Sequence, residues 1–443
     1  MAPRVDPVQS SPELPSRVEV VVIGGGIIGT STALFLAQKG IPVALCEKGH
    51  IAGEQSSRNW GFCRQQGRDP RELPLIIESL RIWRGIDRLV EGETGFRQAG
   101  VMYLANDEKS AAYNEKRLEH GRPYQLDTRI VSGRELADLL PGAARQWPSA
   151  LYTASDGRAE PQMAAPAIAR AVQRLGGAML QGCAVRGLET AGGRVSAVVT
   201  EKGAIACNSV VLAGGAWSRL FCRSLRLTLP QLKVRASVLR TSPVKEAPEL
   251  SIWAASGFAT RKRLDGGYNL AHGSLSDVDI EPDNFRFFRT FWPAFRNERK
   301  GFHLHFGKRF FDELAQPARW PLDRESPFER VRVLDPRPSR SILDKAVANV
   351  RAAFPAFKEA QIEEDWAGYI DATPDAVPVI SPVEQLPGFF IATGFSGHGF
   401  GIGPGAGRLM ADLVSGAAPV VDPTPYRFSR FSDGSEITVI TGF

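Results

Sequence analysis

Short β-branched runs alternate with longer stretches of helical periodicity along this chain, and the first third of the pattern is the clearest. Val20-Val21-Val22-Ile23 is an apolar run of the kind buried on both faces of a parallel sheet. After Gly24-Gly25-Gly26-Ile27-Ile28-Gly29, a helix is predicted from Thr30 to Lys39, ending at Gly40, and a second strand from Ile41 to Cys46. Leu75, Ile76, Leu80, Trp83 and Leu89 give Leu73 to Val90 an apolar helical face. Arg97 to Leu104 reads as a strand, Glu108 to His120 as a polar helix, and Ser132 with Glu135 as a capping box on a further short helix. Gln162 to Leu175 predicts another helix, followed by strands near Cys183 to Leu188, Arg194 to Thr200 and Ala204 to Cys207. A buried strand then runs from Val210 into Gly214-Gly215. Phe258 to Arg263 and Tyr268 to Ala271 form a hairpin signal across Asp265-Gly266-Gly267. Ile342 to Ala353 is helical, Gly388 to Gly394 a strand, and a glycine-rich loop from Phe395 to Gly403 leads to a helix from Ala406 to Val414.

The glycines turn this pattern into chemistry. Their G-x-G-x-x-G spacing lets Gly24 make the tight turn, Gly26 admit a pyrophosphate and Gly29 pack the helix on the strand, with Ile27 and Ile28 at the helix N-terminus. Glu47 closes the second strand eighteen residues past Gly29, where an acid accepts a ribose hydroxyl and repels a 2′-phosphate. Lys48 adjoins it. The polar loop that follows places Ser56, Ser57 and Arg58 to return across the pyrophosphate, and Arg64, Gln65 and Gln66 beside Trp60 and Phe62 suit a small carboxylate. A second glycine-rich approach comes from Ala213 and Gly214. A third comes from Gly394, Gly397, His398, Gly399, Phe400 and Gly401 ahead of the last helix, offering N–H groups and a helix dipole to a remote part of one large cofactor.

Composition narrows the class. With 443 residues the chain is long for one domain, and its net charge of +6 marks no special partner. Five scattered cysteines without C-x-x-C spacing favour a reducing compartment. His303 and His305 share a possible strand face without a third ligand, so no metal is expected. The longest apolar stretch, Val18 to Ala37, is the strand–helix unit itself, so no membrane anchor is expected. Phe285 to Phe311 interleaves Phe and Trp with Arg and Lys. A covering subdomain with inward-packed aromatics is expected there, ahead of a membrane-facing or base-stacking surface.

Together the first strand–helix–strand with Glu47, the Ser56-Ser57-Arg58 loop, Ala213-Gly214-Gly215-Ala216-Trp217-Ser218 and Gly394-Phe395-Ser396-Gly397-His398-Gly399-Phe400 resemble the FAD-dependent amine and amino-acid oxidase superfamily. Glu47-Lys48-Gly49 through Arg58, Val199 to Gly203, Glu325 to Glu329 and Phe354 to Glu359 look most like its bacterial L-amino acid deaminase and L-amino acid oxidase branch. The resemblance implies an α/β fold: a Rossmann-like FAD-binding domain with an inserted mixed-sheet α+β substrate domain. The segments expected are 1–16 as a flexible tail; 17–95, 155–230 and 350–430 as the FAD domain; and 96–154 and 231–349 as the substrate domain. It also implies Val185 near adenine and a non-covalent flavin, since Gly368 stands where sarcosine oxidases carry the attaching cysteine. Ile370 replaces the substrate arginine of glycine and D-amino acid oxidases, and Asn269 the oxygen-activating lysine of sarcosine oxidases. Arg64 matches a carboxylate-binding arginine after the pyrophosphate loop.

The activity this implies is oxidative deamination of L-amino acids, with hydride leaving Cα for flavin N5 and O₂ returning H₂O₂. Arg64 with Gln65 or Gln66 would hold the carboxylate, and Trp217, Trp366 and Tyr369 would wall the side chain. A cytoplasmic homodimer without nucleic acid is expected. The alternatives are an N-methyl or D-amino acid oxidase or dehydrogenase of the same superfamily, and a flavin-dependent nucleic-acid-modifying protein.

Overall fold

The computed structural model describes residues 2–440. Val20–Ile23 lies at the centre of a six-stranded sheet, flanked in parallel by Ser209–Leu212 and Val43–Cys46. Phe389–Thr393 and Ala178–Leu180 extend it in parallel, and Val379–Pro382 closes one edge antiparallel. The first strand is apolar at every position because both of its faces are covered: Val20 and Val22 join one core cluster, Val21 the other. A three-stranded antiparallel sheet, Val185–Ala191, Arg194–Thr200 and Gly203–Ala206, packs on the same domain.

The second domain is built on a ten-stranded mixed sheet. Its longest pairing joins Leu232–Thr241 to Ile362–Ala372 antiparallel. That pairing carries the ten-stranded sheet past the expected boundary at 350, since Ile362–Ala372 belongs to it. So does the cover on that sheet: Leu343, Val347, Val350, Phe354 and Phe357 share a core with Leu239, Tyr268 and Leu270. The chain returns to the six-stranded sheet only after Ala372.

Other boundaries also move. The N-terminal helix spans Ile27–Gln38, so Gly29 lies inside its first turn. The helix at Leu73 stops at Arg84, and after Gly85 only the short Ile86–Leu89 continues it. The strand expected from Arg97 divides at Gly100 into Arg97–Gln98 and Val101–Ala105, which belong to different sheets. Ser132 makes no side-chain cap, whereas Asp107 and Ser110 form a capping box on Glu108–Gly121. The tail is held rather than loose: Asp6 and Ser11 donate their N–H groups to the carbonyls of Gln162 and Met179.

The last long helix is Gly399–Ser415, seven residues longer at its start than the periodicity predicts. Its glycines weaken helix propensity, but they are what its packing requires. A Cβ on Gly403 would stand 2.7 Å from Ile27, one on Gly405 2.7 Å from the Leu75 carbonyl, and one on Gly407 2.4 Å from Ser31. The helix thus lies directly against Ile27–Gln38 and Leu73–Arg84.

The stretch from Phe285 to Phe311 does not pack inward as expected. Phe287 and Phe291 are buried, but Phe285, Phe288, Trp292, Phe306 and Phe311 are exposed and contact mainly one another. Pro282–Arg286, Phe288–Glu298 and Lys308–Leu314 are short helices, and although Phe288, Phe291, Trp292 and Phe295 make one aromatic face, only Phe291 and Ala294 of Phe288–Glu298 are buried.

Candidate active site

Two helix N-termini meet at one cleft, lined by Gly24 to Ile28 at one side and by Gly397, Gly399 and Phe400 at another. Neither N-cap residue caps its helix with a side chain, so each helix directs its positive dipole end at whatever occupies the cleft. Gly24 has φ of +111°, and a Cβ there would stand 2.3 Å from the Ala213 carbonyl, which places the second glycine approach directly against the first. Gly29 packs equally close, its virtual Cβ 2.0 Å from the Gly24 carbonyl.

Ser56 Oγ accepts the Ile27 N–H at 2.8 Å, so its own hydroxyl proton is available inside the cleft. Glu47 Oε2 accepts from Gly25 N at 2.7 Å and Oε1 from Gly49 N at 2.7 Å. Desolvation pushes this carboxyl above its ordinary value, against the pull of Lys48 and both N–H groups. Lys48 bonds Glu54 at 2.8 Å and the Arg332 carbonyl at 2.8 Å. Val185, Ala213 and Gly214 also line the cleft. This donor set, at two helix N-termini that share one cleft, fits a dinucleotide.

The remaining cofactor candidates stand behind the walls. Ser57 bonds the Glu54 carbonyl. Arg58 is fully buried and directed away from the cleft, donating to the Ala367 carbonyl at 2.8 Å, the Gly53 carbonyl at 3.1 Å and Asp335 at 3.0 Å. It ties the pyrophosphate loop to the substrate-domain strand instead of meeting phosphate. Gly394 and Gly401 do not line the cleft; the Gly401 carbonyl accepts from Ser79 and from Trp83. His398 is buried, with Nδ1 3.0 Å from Glu72. Burial pulls its imidazole below the ordinary value, against the field of Glu72.

The substrate candidates divide three ways. Tyr369 lines the cleft and donates to Asp279 at 2.7 Å. Trp217 also lines it, but at the Glu47 end: its Nε1 donates to Glu54 at 3.0 Å and Lys48 Nζ stands 4.3 Å over its ring. Trp366 is a fully buried prop whose Nε1 donates to the Arg58 carbonyl. Arg64 sits beyond the lining, half-buried, its guanidinium 5.5 Å over the Tyr103 ring and bonded to the Gln66 carbonyl. Its loop is set by Asp156, which accepts the N–H groups of Gln65 at 2.8 Å and Gln66 at 3.1 Å. Gln65 Nε2 donates to Ser155 and Gln66 Oε1 accepts from Thr153, while Gln66 Nε2 is buried without a partner. The loop packs against the first turn of Gly399–Ser415 at Gly401, whose virtual Cβ stands 3.3 Å from Cys63 Cα.

Sequence reasoning missed Glu54, which gathers Lys48, Trp217 and the Leu334 N–H, and Asp371, a buried cleft acid that accepts Gly394 N at 2.7 Å. Neither stands in a motif; Glu54 had only its place in the polar loop as a signal. Gly368 meets Gln55 Oε1 and Arg58, with no room for a side chain. Asn269 bonds Arg263 and the Trp60 carbonyl. Among the described residues no group of His, Cys, Asp and Glu is arranged to hold a metal ion; His303 and His305 flank Asp277.

Comparisons with known proteins follow this geometry. The chain is similar to the structure of L-amino acid deaminase from Proteus myxofaciens in complex with anthranilate, at 36% identity and a TM-score of 0.94 over 97% of each chain. The L-amino acid deaminase from Proteus vulgaris matches at 32% identity and a TM-score of 0.92, over 96% of this chain and 100% of that one. In sequence it is 25% identical to sarcosine oxidase subunit beta of Rhodobacter capsulatus, over 97% of this chain and 92% of that protein. It is likewise 25% identical to glycine oxidase of Pseudomonas aeruginosa, over 92% of this chain and 97% of that protein. With residues 19–413 matching the family as a whole, the chain belongs to the FAD-dependent oxidoreductases of the DAO family.

Proposed function

We propose that this flavoprotein oxidises L-amino acids at Cα, giving the 2-oxo acid, ammonia and H₂O₂. The observation that carries the reading is the likeness to two L-amino acid deaminases at 36% and 32% identity over nearly the whole chain, against 25% for the glycine and sarcosine oxidase relatives.

FAD, when bound, supplies the two-electron acceptor for the substrate Cα–H bond. The chain's residues do the rest. Ile27–Gln38 and Gly399–Ser415 hold the cofactor by their N-termini, with Ser56 and Glu47 at its ADP half. Gly368 offers no nucleophile, so attachment is non-covalent. Arg64 pairs with the α-carboxylate, and the free Gln66 Nε2 assists it, while Gln65 positions the loop. Tyr369 is the aromatic wall at the cleft. Trp366 acts only by holding the Arg58 loop. The substrate amine binds neutral, so the reaction calls for no strong side-chain base.

The described residues contain no helix long and apolar enough to cross a membrane. All five cysteines are free and buried, in keeping with a reducing compartment. We take the protein to work as a cytoplasmic homodimer with O₂ as acceptor. In air, the holoprotein with L-amino acids should release peroxide, 2-oxo acid and ammonia in equal amounts. Peroxide and formaldehyde from sarcosine, with no turnover of L-amino acids, would move the protein to the N-methyl amino acid oxidases.

A further inference from the structure

The substrate side of the molecule holds more positive charge than one carboxylate explains. Tyr103 projects from Val101–Ala105 on the face that also carries Trp253 and meets Phe62. Two guanidiniums lie against its ring: Arg64 at 5.5 Å and Arg117, from the helix Glu108–Gly121, at 4.7 Å. Arg117 is further clasped by Tyr113 at 4.2 Å and Trp253 at 5.4 Å. Neither arginine has a carboxylate within ion-pair distance among the described residues, although most of the chain's other buried and half-buried arginines do. Glu298, on Phe288–Glu298, interacts with Arg117 only at longer range, and the Asp156 carboxylate near Arg64 is taken up by two backbone N–H groups.

Arg117 Nε and Gln66 Nε2 are donors buried without a hydrogen-bond partner, and so is Nη1 of the neighbouring Arg68, whose Nε donates to the Arg64 carbonyl at 3.0 Å; on the far side of Arg68, Glu72 Oε1 is an unpartnered acceptor. Two like charges held against one tyrosine repel each other, and anionic groups joining them would relieve that repulsion. Burial and the charge of Arg64 both pull Arg117 below its ordinary value, as expected of a cation awaiting a counterion. An L-amino acid with a neutral side chain supplies one such group.

We infer that the substrate carries a second carboxylate on its side chain, so that Arg64 takes the α-carboxylate and Arg117 the distal one, both against the Tyr103 ring. The favoured class is the acidic L-amino acids. The aromatic clasp fixes the Arg117 guanidinium in place and keeps its charge poorly hydrated, which strengthens a charge-assisted pair. This rests on the L-amino acid reading above and deepens it.

The test uses the FAD-loaded protein. L-Glutamate, L-aspartate, L-leucine and L-phenylalanine are compared for anaerobic flavin bleaching, and glutarate against butyrate for perturbation of the oxidised flavin spectrum. Acidic substrates should have the highest kcat/KM, and glutarate should bind more tightly than butyrate. Arg117→Met should raise KM for glutamate roughly 10- to 100-fold, as loss of one charge-assisted pair requires, with kcat and KM for leucine little changed. Arg117→Lys should recover part of the loss. Bleaching by leucine and phenylalanine but not by either acidic substrate would overturn the inference and leave the L-amino acid reading standing. Bleaching by none of the four would overturn that reading. Should Arg117→Met fail to fold, equal or weaker binding of glutarate relative to butyrate by the unaltered protein still overturns the inference.

Discussion

Arg64 and Asp156 are the residues on which the substrate side turns. Removing the guanidinium by Arg64→Ala should raise KM for the preferred amino acid roughly 100-fold through loss of one charged pair. The flavin absorbance per protein should stay unchanged, because Arg64 stands outside the cofactor cleft. Normal KM in that variant would remove Arg64 from the carboxylate site. Asp156 is fully buried, and burial pushes its carboxyl up to about 7 even with two N–H donors and Arg64 pulling the other way. The folded state therefore binds more protons than the unfolded one between the ordinary carboxylate value and about pH 7. Stability from this group falls as pH rises through that window, with a slope on the order of 1 kcal/mol per pH unit. Denaturant titrations of Asp156→Asn and the unaltered protein should diverge in that slope between about pH 4 and 7 and run parallel above it. Parallel profiles throughout would mean that Asp156 titrates as an ordinary acid. Asp156 was invisible in the sequence because a lone acid after a turn carries no pattern. The proposal for Arg64 rests, in the sequence, only on its place after the pyrophosphate loop.

At the level of elements, the strand–turn–helix at Val20 was legible because its constraints are local: β-branched residues, glycine spacing and a terminal acid lie within one short stretch. The helix Gly399–Ser415 shows the opposite case. Local propensity argues against seven glycine-rich residues at its start, and only contact with Ile27–Gln38 and Leu73–Arg84 explains them. Gly407→Val tests this directly. Its branched side chain would collide with Ser31 Cβ at 2.4 Å and with backbone atoms of Ser31 and Thr32 at 2.6 and 2.7 Å. Overpacking of that kind costs about 1–3 kcal/mol, or more when backbone must move. Thermal denaturation should shift down, and FAD should dissociate more readily because the displaced helix carries the Gly399 end of the cleft. An unchanged melting temperature would mean that the two helices are not in contact as described. Arg58 failed as a phosphate ligand for a related reason: its partners, Asp335 and Ala367, lie some three hundred residues away, beyond any motif.

Over the whole molecule, the chain passes between the six-stranded and the ten-stranded sheet more than once, and the sequence marks those passages only where cofactor-type sequence stops and resumes. The passage expected at 350 was misplaced, since the pairing of Ile362–Ala372 with Leu232–Thr241 is a long-range event that composition does not record. The aromatic stretch was misjudged because its helical periodicity, with Phe288, Phe291, Trp292 and Phe295 on one face, does not record what that face packs against. Its exposed Phe285, Phe306 and Phe311 form an apolar surface of the sort that drives association. Replacing all three by Ser should lower hydrophobic-dye binding and light scattering at high concentration while leaving flavin content intact. Unchanged dye binding would show that the surface is covered in solution.

The most direct single measurement is anaerobic mixing of the FAD-loaded protein with L-amino acids, their D-enantiomers and sarcosine while the flavin absorbance is followed. Bleaching by L-amino acids alone, with peroxide formed when air is admitted, is the predicted result. Bleaching by D-amino acids or sarcosine and not by L-amino acids would contradict it.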